Sequence, residues 1–553
     1  MDECMNAARG SVPADRLFTG LSLYNPFTCT WEETSFAVKD GRVVGMGEGY
    51  EARETVDLGG ARVVPGLIDA HVHIESSLLT PREYARAVLP RGTTTVVADP
   101  HEIANVSGKE GIEFVLSEGS RSALSVLVTL PSCVPATPLD EGGAVLTADD
   151  LAEFVGREGV AGLGEMMNVP GVLNGDPEVW KKLGLFRVRE GHAPMLSGKD
   201  LNAYIFAGIQ SDHESTTLEE AEEKLRLGMY IMMREGSTER NIRALAPLLT
   251  PCTSSRCCLA TDDRHADMLV SEGHIDDCIR KLVKEGVPLE VALRAATLSS
   301  AQRFGLEDRG AVAPGRRADF CVLKSSPEFE VAATYVQGVR YEDPGYQAPA
   351  CPPPVFRCRP PDPADLAVGG RGMARVIGLN RGQIVTDDLR CRVETVPDLE
   401  HDILKVVVCD RYRHGGCGVG LVRGFGMKEG AIAASVSHDT HNIVAVGVSD
   451  EEICRAVREV TDRKGAMVAV RGERVTVLPL PCGGLMATEP YPEVCRRLEA
   501  LKGETAAMGA VDDPFMYLSF LALTVIPHLR VTDRGVFDAA AFADVPLFCE
   551  EEK

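Results

Sequence analysis

The stretch Val63-Val64-Pro65-Gly66-Leu67-Ile68-Asp69-Ala70-His71-Val72-His73-Ile74-Glu75-Ser76 joins an apolar run to a polar end with two histidines two positions apart. In an extended strand, side chains at i and i+2 point to the same side, so the imidazoles of His71 and His73 can converge on one ion. Such a pair is also compatible with two exposed polar residues. The rest of the chain must distinguish the two interpretations.

Length and composition describe an ordinary globular protein of 553 residues, with 44% hydrophobic and 25% charged residues. A chain of this length predicts two or three domains. The beginning, Met1 to Cys4, lacks the basic region and apolar stretch of a secretory signal, and no segment approaches the roughly 18 apolar residues of a membrane span. We therefore expect a cytoplasmic protein that does not contact a membrane.

Charge and cysteine content restrict the partners further. The formal charge of −23 would repel a phosphate backbone, so nucleic acid is not expected as a partner. The 17 cysteines show neither a Cys-x-x-Cys pair nor a disulfide spacing, which in a reducing compartment predicts mostly buried, unpaired thiols. A small-molecule substrate and a homo-oligomer, taken as a dimer, are expected instead.

Eight short β-like runs alternate with helix-compatible segments between Pro65 and Gly310. Three of those segments have amphipathic spacing: Pro81 to Leu89, Leu218 to Leu227 and Asn241 to Leu249. Eight βα units in about 245 residues are the expected size of a TIM barrel. The runs are Gly66 to Asp69, Thr93 to Asp99, Leu124 to Pro131, Gly159 to Glu165, Phe186 to His192, Ala207 to His213, Met229 to Glu235 and Cys257 to Asp262.

The predicted fold class is therefore α/β, with a TIM (β/α)8 barrel over residues 66–309. Residues 1–65 and 310–345 carry β-like segments and are expected to form one small flanking β-sandwich domain. The proline-rich stretch 346–366 is interpreted as a linker, and 367–553 as a C-terminal α/β domain. In that last domain, strands are predicted at Lys405 to Cys409, Val419 to Val422, Ala431 to Ser437 and Ile443 to Val446, before a helix at Asp450 to Lys464.

Metal-ligand residue types end several of the eight runs, where a TIM barrel has its active site. Together they are enough ligands for two divalent ions, which a bridging carboxylate would hold roughly 3.5–4 Å apart around a shared hydroxide. Imidazole and carboxylate suit zinc, iron or manganese. The predicted ligands are His71, His73, Glu165, His192, His213 and Asp262.

Within this set Asp262, Glu165 and His213 are the expected catalytic residues. A carboxylate beside a metal-bound hydroxide can take its proton and pass it to a leaving amine, so Asp262 is assigned both as ligand and as proton shuttle. Glu165 is interpreted as a bridging ligand, with the alternative that it only orients a ligating imidazole.

These residues resemble the amidohydrolase superfamily, in the form found in bacterial and archaeal adenine deaminases. The resemblance covers essentially the whole chain. Its motifs are residues 65–77, Asp99 to Val106, Pro131 to Thr137, Gly191 to Pro194, Leu196 to Tyr204, Ser211 to Glu214, Thr261 to His265 and Ser437 to Asn442.

The resemblance implies a purine-salvage hydrolase that converts adenine to hypoxanthine and ammonia. A metal-bound hydroxide would attack the carbon bearing the exocyclic amine, and Asp262 would deliver a proton to the purine. The resemblance also gives the six ligands their metal roles, with Glu165 in the place where many amidohydrolases use a carbamylated lysine. It implies manganese or iron as the cofactor, with zinc also compatible.

Polar residues of the same motifs are candidates for contacts with the purine. They are Glu75, Asp99, His101, Ser132 and His265, and each could equally be a buried hydrogen-bonding residue. The cluster His438-Asp439-Thr440-His441 has three interpretations: a further ion site, a segment covering the barrel mouth, or a polar turn. Covering or structure is favoured.

Two other functions remain as alternatives. One is a different amidohydrolase reaction, such as hydrolysis of a cyclic amide or an N-acetyl sugar, because a fold does not fix its substrate. The other is a non-catalytic barrel that serves in assembly. The zinc deaminases with His-x-Glu and Pro-Cys-x-x-Cys are excluded, because Pro481-Cys482-Gly483-Gly484-Leu485 lacks the second cysteine.

Overall fold

The computed structural model describes residues 2–137, 139–324, 328–383, 385–413 and 416–549. The chain begins with a short helix and four strands that precede the histidine motif. These are α1 (Asp2–Ala8), β1 (Ala14–Asn25), β2 (Thr30–Lys39), β3 (Arg42–Met46) and β4 (Ala52–Pro65). Among the described residues, no helix has the length and apolar character needed to cross a bilayer.

Eight strands then follow, and each overlaps one of the eight predicted runs. Strands β5 to β9 form one parallel sheet in chain order, and β10 to β12 form a second. Every residue of β5, β6 and β12 is buried, as expected for parallel strands covered on both faces. The strands are β5 (Leu67–Val72), β6 (Thr93–Ala98), β7 (Ser125–Leu130), β8 (Val160–Met166), β9 (Arg189–Gly191), β10 (Ser211–Asp212), β11 (Tyr230–Arg234) and β12 (Cys257–Ala260).

The two parallel sheets approach each other along both of their edges. Val72 at the end of β5 forms a parallel bridge with Asp262, just beyond β12. There the Asp262 N–H donates to the carbonyl of His71 at 3.0 Å. At the other edge the Gln210 N–H donates to the carbonyl of Arg189 at 3.2 Å. The predicted α/β class is confirmed, as a curled parallel sheet.

The helices between these strands bury one apolar stripe each. In α12 the residues Ile275, Cys278, Ile279 and Leu282 are buried at helical spacing. The helices are α2 (Pro81–Val88), α3 (His101–Ser107), α4 (Lys109–Gly119), α5 (Ala148–Ala152), α6 (Val169–Asn174), α7 (Pro177–Leu185), α8 (Gly198–Phe206), α9 (Leu218–Arg226), α10 (Ile242–Leu245), α11 (Ala266–Ser271), α12 (Ile275–Lys284), α13 (Leu289–Arg294) and α14 (Ser300–Arg303).

The helix predicted for Asn241 to Leu249 is shorter than expected. It ends at Leu245 and continues as a 3₁₀ turn over Ala246–Leu248. Pro247 explains the difference, because proline has no N–H to donate to the helical ladder. The predictions for α2 and α9 differ from the structure by one residue at the carboxyl end.

Three strands after the parallel sheets return to β1–β4. They are β13 (Phe320–Leu323), β14 (Val331–Val336) and β15 (Val339–Arg340), and the sheet has the order β15-β14-β13-β4-β1-β2-β3. We predicted a sandwich here, whereas the described strands form one hydrogen-bonded sheet. Its core includes Phe18, Phe36 and Phe320, whose rings lie 5.0–5.2 Å apart.

The C-terminal part holds an eight-stranded sheet of order β17-β16-β19-β18-β21-β20-β22-β23 and a three-stranded sheet β24-β25-β26. Buried Ile453, Val457 and Val460 of α15 belong to the same apolar core as β20–β22. The elements are β16 (Gly372–Leu379), β17 (Thr386–Val393), β18 (Ile403–Cys409), β19 (Cys417–Arg423), β20 (Ala431–Ala434), β21 (Ile443–Gly447), α15 (Asp450–Asp462), β22 (Ala466–Arg471), β23 (Arg474–Pro479), α16 (Tyr491–Ala507), α17 (Pro514–Phe520), β24 (Leu529–Thr532), β25 (Gly535–Asp538) and β26 (Ala543–Asp544).

Two disulfides are exceptions to the expectation that the cysteines are mostly buried, unpaired thiols. Cys351 of the proline-rich stretch pairs with Cys482, and Cys409 pairs with Cys417 across β18 and β19. Sequence spacing gave no sign of the first pair, because its partners are 131 residues apart. The other cysteines are free, and most of them are buried.

Candidate metal centre

The six predicted ligands lie together at the carboxyl ends of the parallel strands. His71 is in β5 and Glu165 in β8, while the other four directly follow the ends of β5, β9, β10 and β12. Five of the six side chains are buried, and His192 is partly exposed. The common strand direction explains the convergence, because parallel strands place their carboxyl ends on one face.

One half of the cluster contains the His-x-His pair. The Nε2 atoms of His71 and His73 are 3.3 Å apart. Asp262 Oδ1 lies 3.0 Å from His73 Nε2 and 3.6 Å from His71 Nε2. Bonds of about 2.0–2.2 Å at tetrahedral angles would place ligand atoms roughly 3.3–3.6 Å apart. These spacings therefore fit a common cation.

The other half contains His192 and His213, and Glu165 lies between the halves. Glu165 Oε2 is 2.7 Å from His192 Nδ1 and 3.2 Å from His213 Nε2. Its second oxygen, Oε1, is 3.3 Å from His73 Nε2. Each carboxylate oxygen thus faces a different half of the cluster, which is the arrangement of a bridging ligand.

The donor set fits divalent cations. Asp262 Oδ1 is buried and accepts no hydrogen bond, although an ionised carboxylate in a dry site needs a partner. Combinations of three residues that could share one ion include His71, His213 and Asp262, and also Glu165, His192 and His213. The cluster therefore has the residue types and the spacing that suit divalent metal ions.

Outer contacts fix the two histidines of the motif so that Nε2 faces inward. His71 Nδ1 lies 3.0 Å from Glu190 Oε2, and His73 Nδ1 donates to the backbone carbonyl of Asp99 at 2.9 Å. A ring nitrogen that donates outward leaves the other nitrogen free as a ligand. Glu190 was missed by sequence reasoning; its signal was a charged residue inside a buried strand.

Arg234 at the end of β11 joins three acidic residues beside the cluster. Its guanidinium lies 2.6 Å from Asp262 Oδ2, 2.5 Å from Glu214 Oε1 and 3.2 Å from Asp263 Oδ2. Sequence reasoning did not identify Arg234, Glu214 or Asp263 either. For Arg234, the signal in the sequence was a positive charge at the end of the apolar run Tyr230 to Met233.

These charges set the ionisation of the two carboxylates. Burial raises the pKa of Asp262, but Arg234 and His73 outweigh it and hold this pKa well below its usual value. Burial likewise acts against ionisation of Glu165, whose pKa is nevertheless held well below its usual value by His101, His192 and His213. Both groups are therefore ionised, as metal ligands must be.

Of the five purine-contact candidates, two support the backbone of Glu165. Asp99 Oδ2 accepts from the Glu165 N–H at 2.9 Å, and Ser132 Oγ donates to the Glu165 carbonyl at 2.5 Å. Burial is the main cause that raises the pKa of Asp99 to about 6. The structure thus engages both side chains in positioning Glu165.

The other three candidates retain polar atoms without hydrogen bonds. Glu75 Oε1 accepts from the Ile103 N–H at 3.1 Å, whereas its Oε2 has no hydrogen-bond partner. His265 Nδ1 also has none, and burial lowers the pKa of this imidazole. His101 Nδ1 lies 3.2 Å from Glu165 Oε1, beside the metal cluster.

The segment 437–441 of the C-terminal part reaches this region. His438 Nδ1 and His441 Nε2 each contact one carboxylate oxygen of Glu102, and Asp439 Oδ1 lies 3.4 Å from His101 Nε2. All three side chains of the segment are buried. Residues 438–440 form a turn, so the interpretation as a polar turn fits the backbone, and this turn is buried beside the site.

Comparison with known proteins agrees with the arrangement of the site. The amidohydrolase family matches residues 62–340, and the adenine deaminase C-terminal domain matches residues 383–543. An adenine deaminase of Methanoculleus marisnigri is 63% identical over 93% of this chain and 100% of its own length. One of Methanoregula boonei is 58% identical over 98% of both chains.

A more distant relative extends the similarity to bacteria. The adenine deaminase of Desulfatibacillum aliphaticivorans is 42% identical over 99% of both chains. Identity at this level over almost the whole length of both chains includes the parallel strands, the flanking sheet and the C-terminal part alike. The chain belongs to the adenine deaminases of the amidohydrolase family.

Proposed function

We propose that this protein hydrolyses adenine to hypoxanthine and ammonia. Its relatives carry the name adenine deaminase, which agrees with this reaction. The observation that carries the proposal is the position of Glu165, whose two oxygens face two separate groups of imidazoles. Such a carboxylate serves a binuclear hydrolytic site. The reaction would place the protein in purine salvage.

The first cation would be held by His71, His73 and Asp262, and the second by His192 and His213, with Glu165 between them. Manganese or iron is proposed, and zinc also suits the donor set. When bound, the two cations supply a water of lowered pKa and stabilise negative charge on the reacting centre.

Asp262 is proposed to move the proton. Because its pKa is held low, it is ionised in the resting site and can accept a proton from water before it delivers that proton to the purine. Its Oδ2 is held by Arg234 and its Oδ1 faces His73, so the carboxylate cannot rotate without breaking an ion pair. His213 completes the proposed catalytic group beside Glu165.

The purine is proposed to contact Glu75, His101 and His265, each of which keeps one buried polar atom without a hydrogen bond. Asp99 and Ser132 contribute by holding Glu165. A carboxyl group such as Glu75, whose pKa is raised by burial, can donate a hydrogen bond to a ring nitrogen while it is protonated. Such contacts would orient the amine-bearing carbon toward the metal cluster.

The fold proposed for this site is a closed (β/α)8 barrel over residues 66–309. The hydrogen bonds at both edges between the two parallel sheets support closure. We also propose that residues 1–65 and 310–345 form one unit, with 346–366 as the linker to the unit 367–553. A cytoplasmic location and a homodimer stay predictions, the latter testable by light scattering.

Purified protein loaded with manganese or iron(II) and mixed with adenine tests the function. Loss of adenine absorbance with release of one ammonia per adenine is expected. A cyclic amide and an N-acetyl sugar are the competing substrates, and turnover of either without turnover of adenine would refute the proposal. Metal-free protein is the control, and it should be inactive until the cation is restored.

A further inference from the structure

We propose a third divalent-cation site, built from His101 and Glu102 of α3 together with His438 and Asp439 of the C-terminal part. It lies beside the binuclear cluster but shares none of the six proposed ligands. Its occupant would be a first-row transition cation such as Mn²⁺, Fe²⁺ or Zn²⁺, because the donors are imidazoles and carboxylates.

The spacing of the ligand atoms supports the site. His101 Nε2 lies 3.5 Å from Glu102 Oε1 and 3.4 Å from Asp439 Oδ1. Two ligands of one tetrahedral ion are about 3.3–3.6 Å apart. His438 Nδ1 contacts the same Glu102 oxygen directly, closer than two ligands of one ion, and would become the fourth donor when a cation takes the place of that contact. Two elements that are more than three hundred residues apart in sequence thus bring donor atoms to one region.

His441 has a different role, which follows from its hydrogen bonds. Its Nδ1 accepts from the Ser437 N–H at 3.2 Å, so the proton of the neutral ring is on Nε2. That N–H faces Glu102 Oε2. A donor on one carboxylate oxygen leaves the other, Oε1, free for the cation, in the way that outer contacts orient metal ligands.

The negative charge of the carboxylates around His101 also favours a bound cation. Four carboxylates lie 3.2–3.8 Å from the ring of His101, namely those of Asp99, Glu102, Glu165 and Asp439. A single protonated imidazole could not offset them. Buried charges are either paired or coordinate metals.

An unsatisfied atom points to the same site. Asp439 Oδ2 is buried and makes no hydrogen bond, and the same is true of Ser437 Oγ two residues earlier. Asp439 as a whole is only 4% exposed, so bulk water does not solvate it. A cation at this carboxylate would offset the cost of burying it without a hydrogen-bond partner.

The bound ion would connect the C-terminal part to the first turn of α3 and fix His101. The other nitrogen of that ring, Nδ1, is 3.2 Å from Glu165 Oε1. One imidazole would therefore link the third cation to the carboxylate between the other two. With this ion bound, His101 would serve as its ligand in place of a contact with the purine, and the reaction proposed above would be otherwise unchanged.

Metal counting on the full chain tests the inference. Protein loaded with Mn²⁺ and freed of excess metal should hold three ions per chain by mass spectrometry. His438→Ala should hold two, and the matched control His401→Ala, whose side chain is 64% exposed, should hold three. Two ions in the unmodified protein, or three in His438→Ala, would overturn the proposal.

Anomalous scattering from crystals of the unmodified Mn²⁺-loaded protein tests the site without a variant. A peak between Glu102 and Asp439 is expected in addition to the peaks at Glu165. Peaks at Glu165 alone would refute the third site and leave the proposed function standing. A peak at Asp439 with none at Glu165 would support the third site and contradict the binuclear proposal.

Discussion

Arg234 Nε lies 2.6 Å from Asp262 Oδ2, on the opposite side of the carboxylate from the two histidines of the first motif. The guanidinium thus stabilises the ionised form of a group that must be negative to bind a cation and to accept a proton. It makes no contact that would require it to take part in the reaction itself. Its effect is on the affinity of Asp262 for protons.

The substitution Arg234→Met should therefore shift the acidic limb of the pH–rate profile to higher pH. When the guanidinium of Arg234 is removed, burial has more influence and the pKa of Asp262 rises. As a result, kcat/KM should begin to fall at a higher pH than in the unmodified enzyme. The measurement is the pH dependence of adenine turnover. Arg226→Met, at an exposed site, is the control, and an unchanged acidic limb in Arg234→Met would contradict the assignment.

Asp262→Asn should lower kcat by about 10²–10⁴-fold, the contribution of a positioned acid–base group. The amide cannot accept the proton, although its oxygen can still face a cation. Steady-state kinetics and metal analysis of the same sample separate the two roles. Asp200→Asn, an exposed residue, should be unaffected. Substantial activity in Asp262→Asn would remove its role as proton shuttle.

Glu190→Gln should weaken metal binding by about 10- to 100-fold, because the amide holds the ring of His71 less firmly than a carboxylate does. The contact at risk is the 3.0 Å pair between His71 Nδ1 and Glu190 Oε2. Titration with a chelator, followed by the activity that remains, reports the affinity. Glu219→Gln is the exposed control. Equal chelator resistance in both variants would show that Glu190 does not support the ligand.

Lys224→Met should destabilise the fold by about 3–5 kcal/mol at pH 7, since it leaves the buried carboxylate of Asp212 unpaired. Lys224 Nζ lies 2.9 Å from Asp212 Oδ2, and neither side chain is exposed. Burial raises the pKa of Asp212, but Lys224 more than offsets this and brings it to about 2.

The pH dependence of that loss has a definite sign. A carboxyl whose folded pKa lies below its unfolded value stabilises the protein above about pH 4 and loses this effect as the pH falls toward 2. The difference in urea midpoint between Lys224→Met and the unmodified protein should therefore shrink at acidic pH. Arg226→Met should show no difference, and a constant gap at pH 7 and pH 3 would contradict the pairing.

Periodicity and residue type predicted the strand ends and the six converging side chains. Strands β5 to β12 were predictable because buried parallel strands read as short apolar runs, and their polar ends then had to meet on one face. The shortest of them, β9 and β10, were predicted too long, because the apolar residues Phe186 and Ala207 lie at the carboxyl ends of helices α7 and α8 and not in a strand.

The rest of the site depends on contacts that no local pattern encodes. Glu190 and Arg234 stand out only as charged residues in apolar runs, and their roles could not be predicted because their partners lie on other strands. Neither the disulfide from Cys351 to Cys482 nor the contact from Glu102 to His438 has a sequence spacing that predicts it. Such pairs are fixed by how the C-terminal part sits on the parallel strands, which only the folded chain shows.

The contact between Glu102 and His438 also has a consequence for biosynthesis. During translation Glu102 is synthesised 336 residues before His438, so its carboxylate stays solvated while most of the chain has not yet been synthesised. The parallel strands that carry the predicted ligands can fold early, whereas the segment 437–441 can pack against Glu102 only when the last third of the protein has folded. A ribosome that stops before residue 438 would thus release an open, hydrated site, and competence for purine chemistry would mark a chain made to completion.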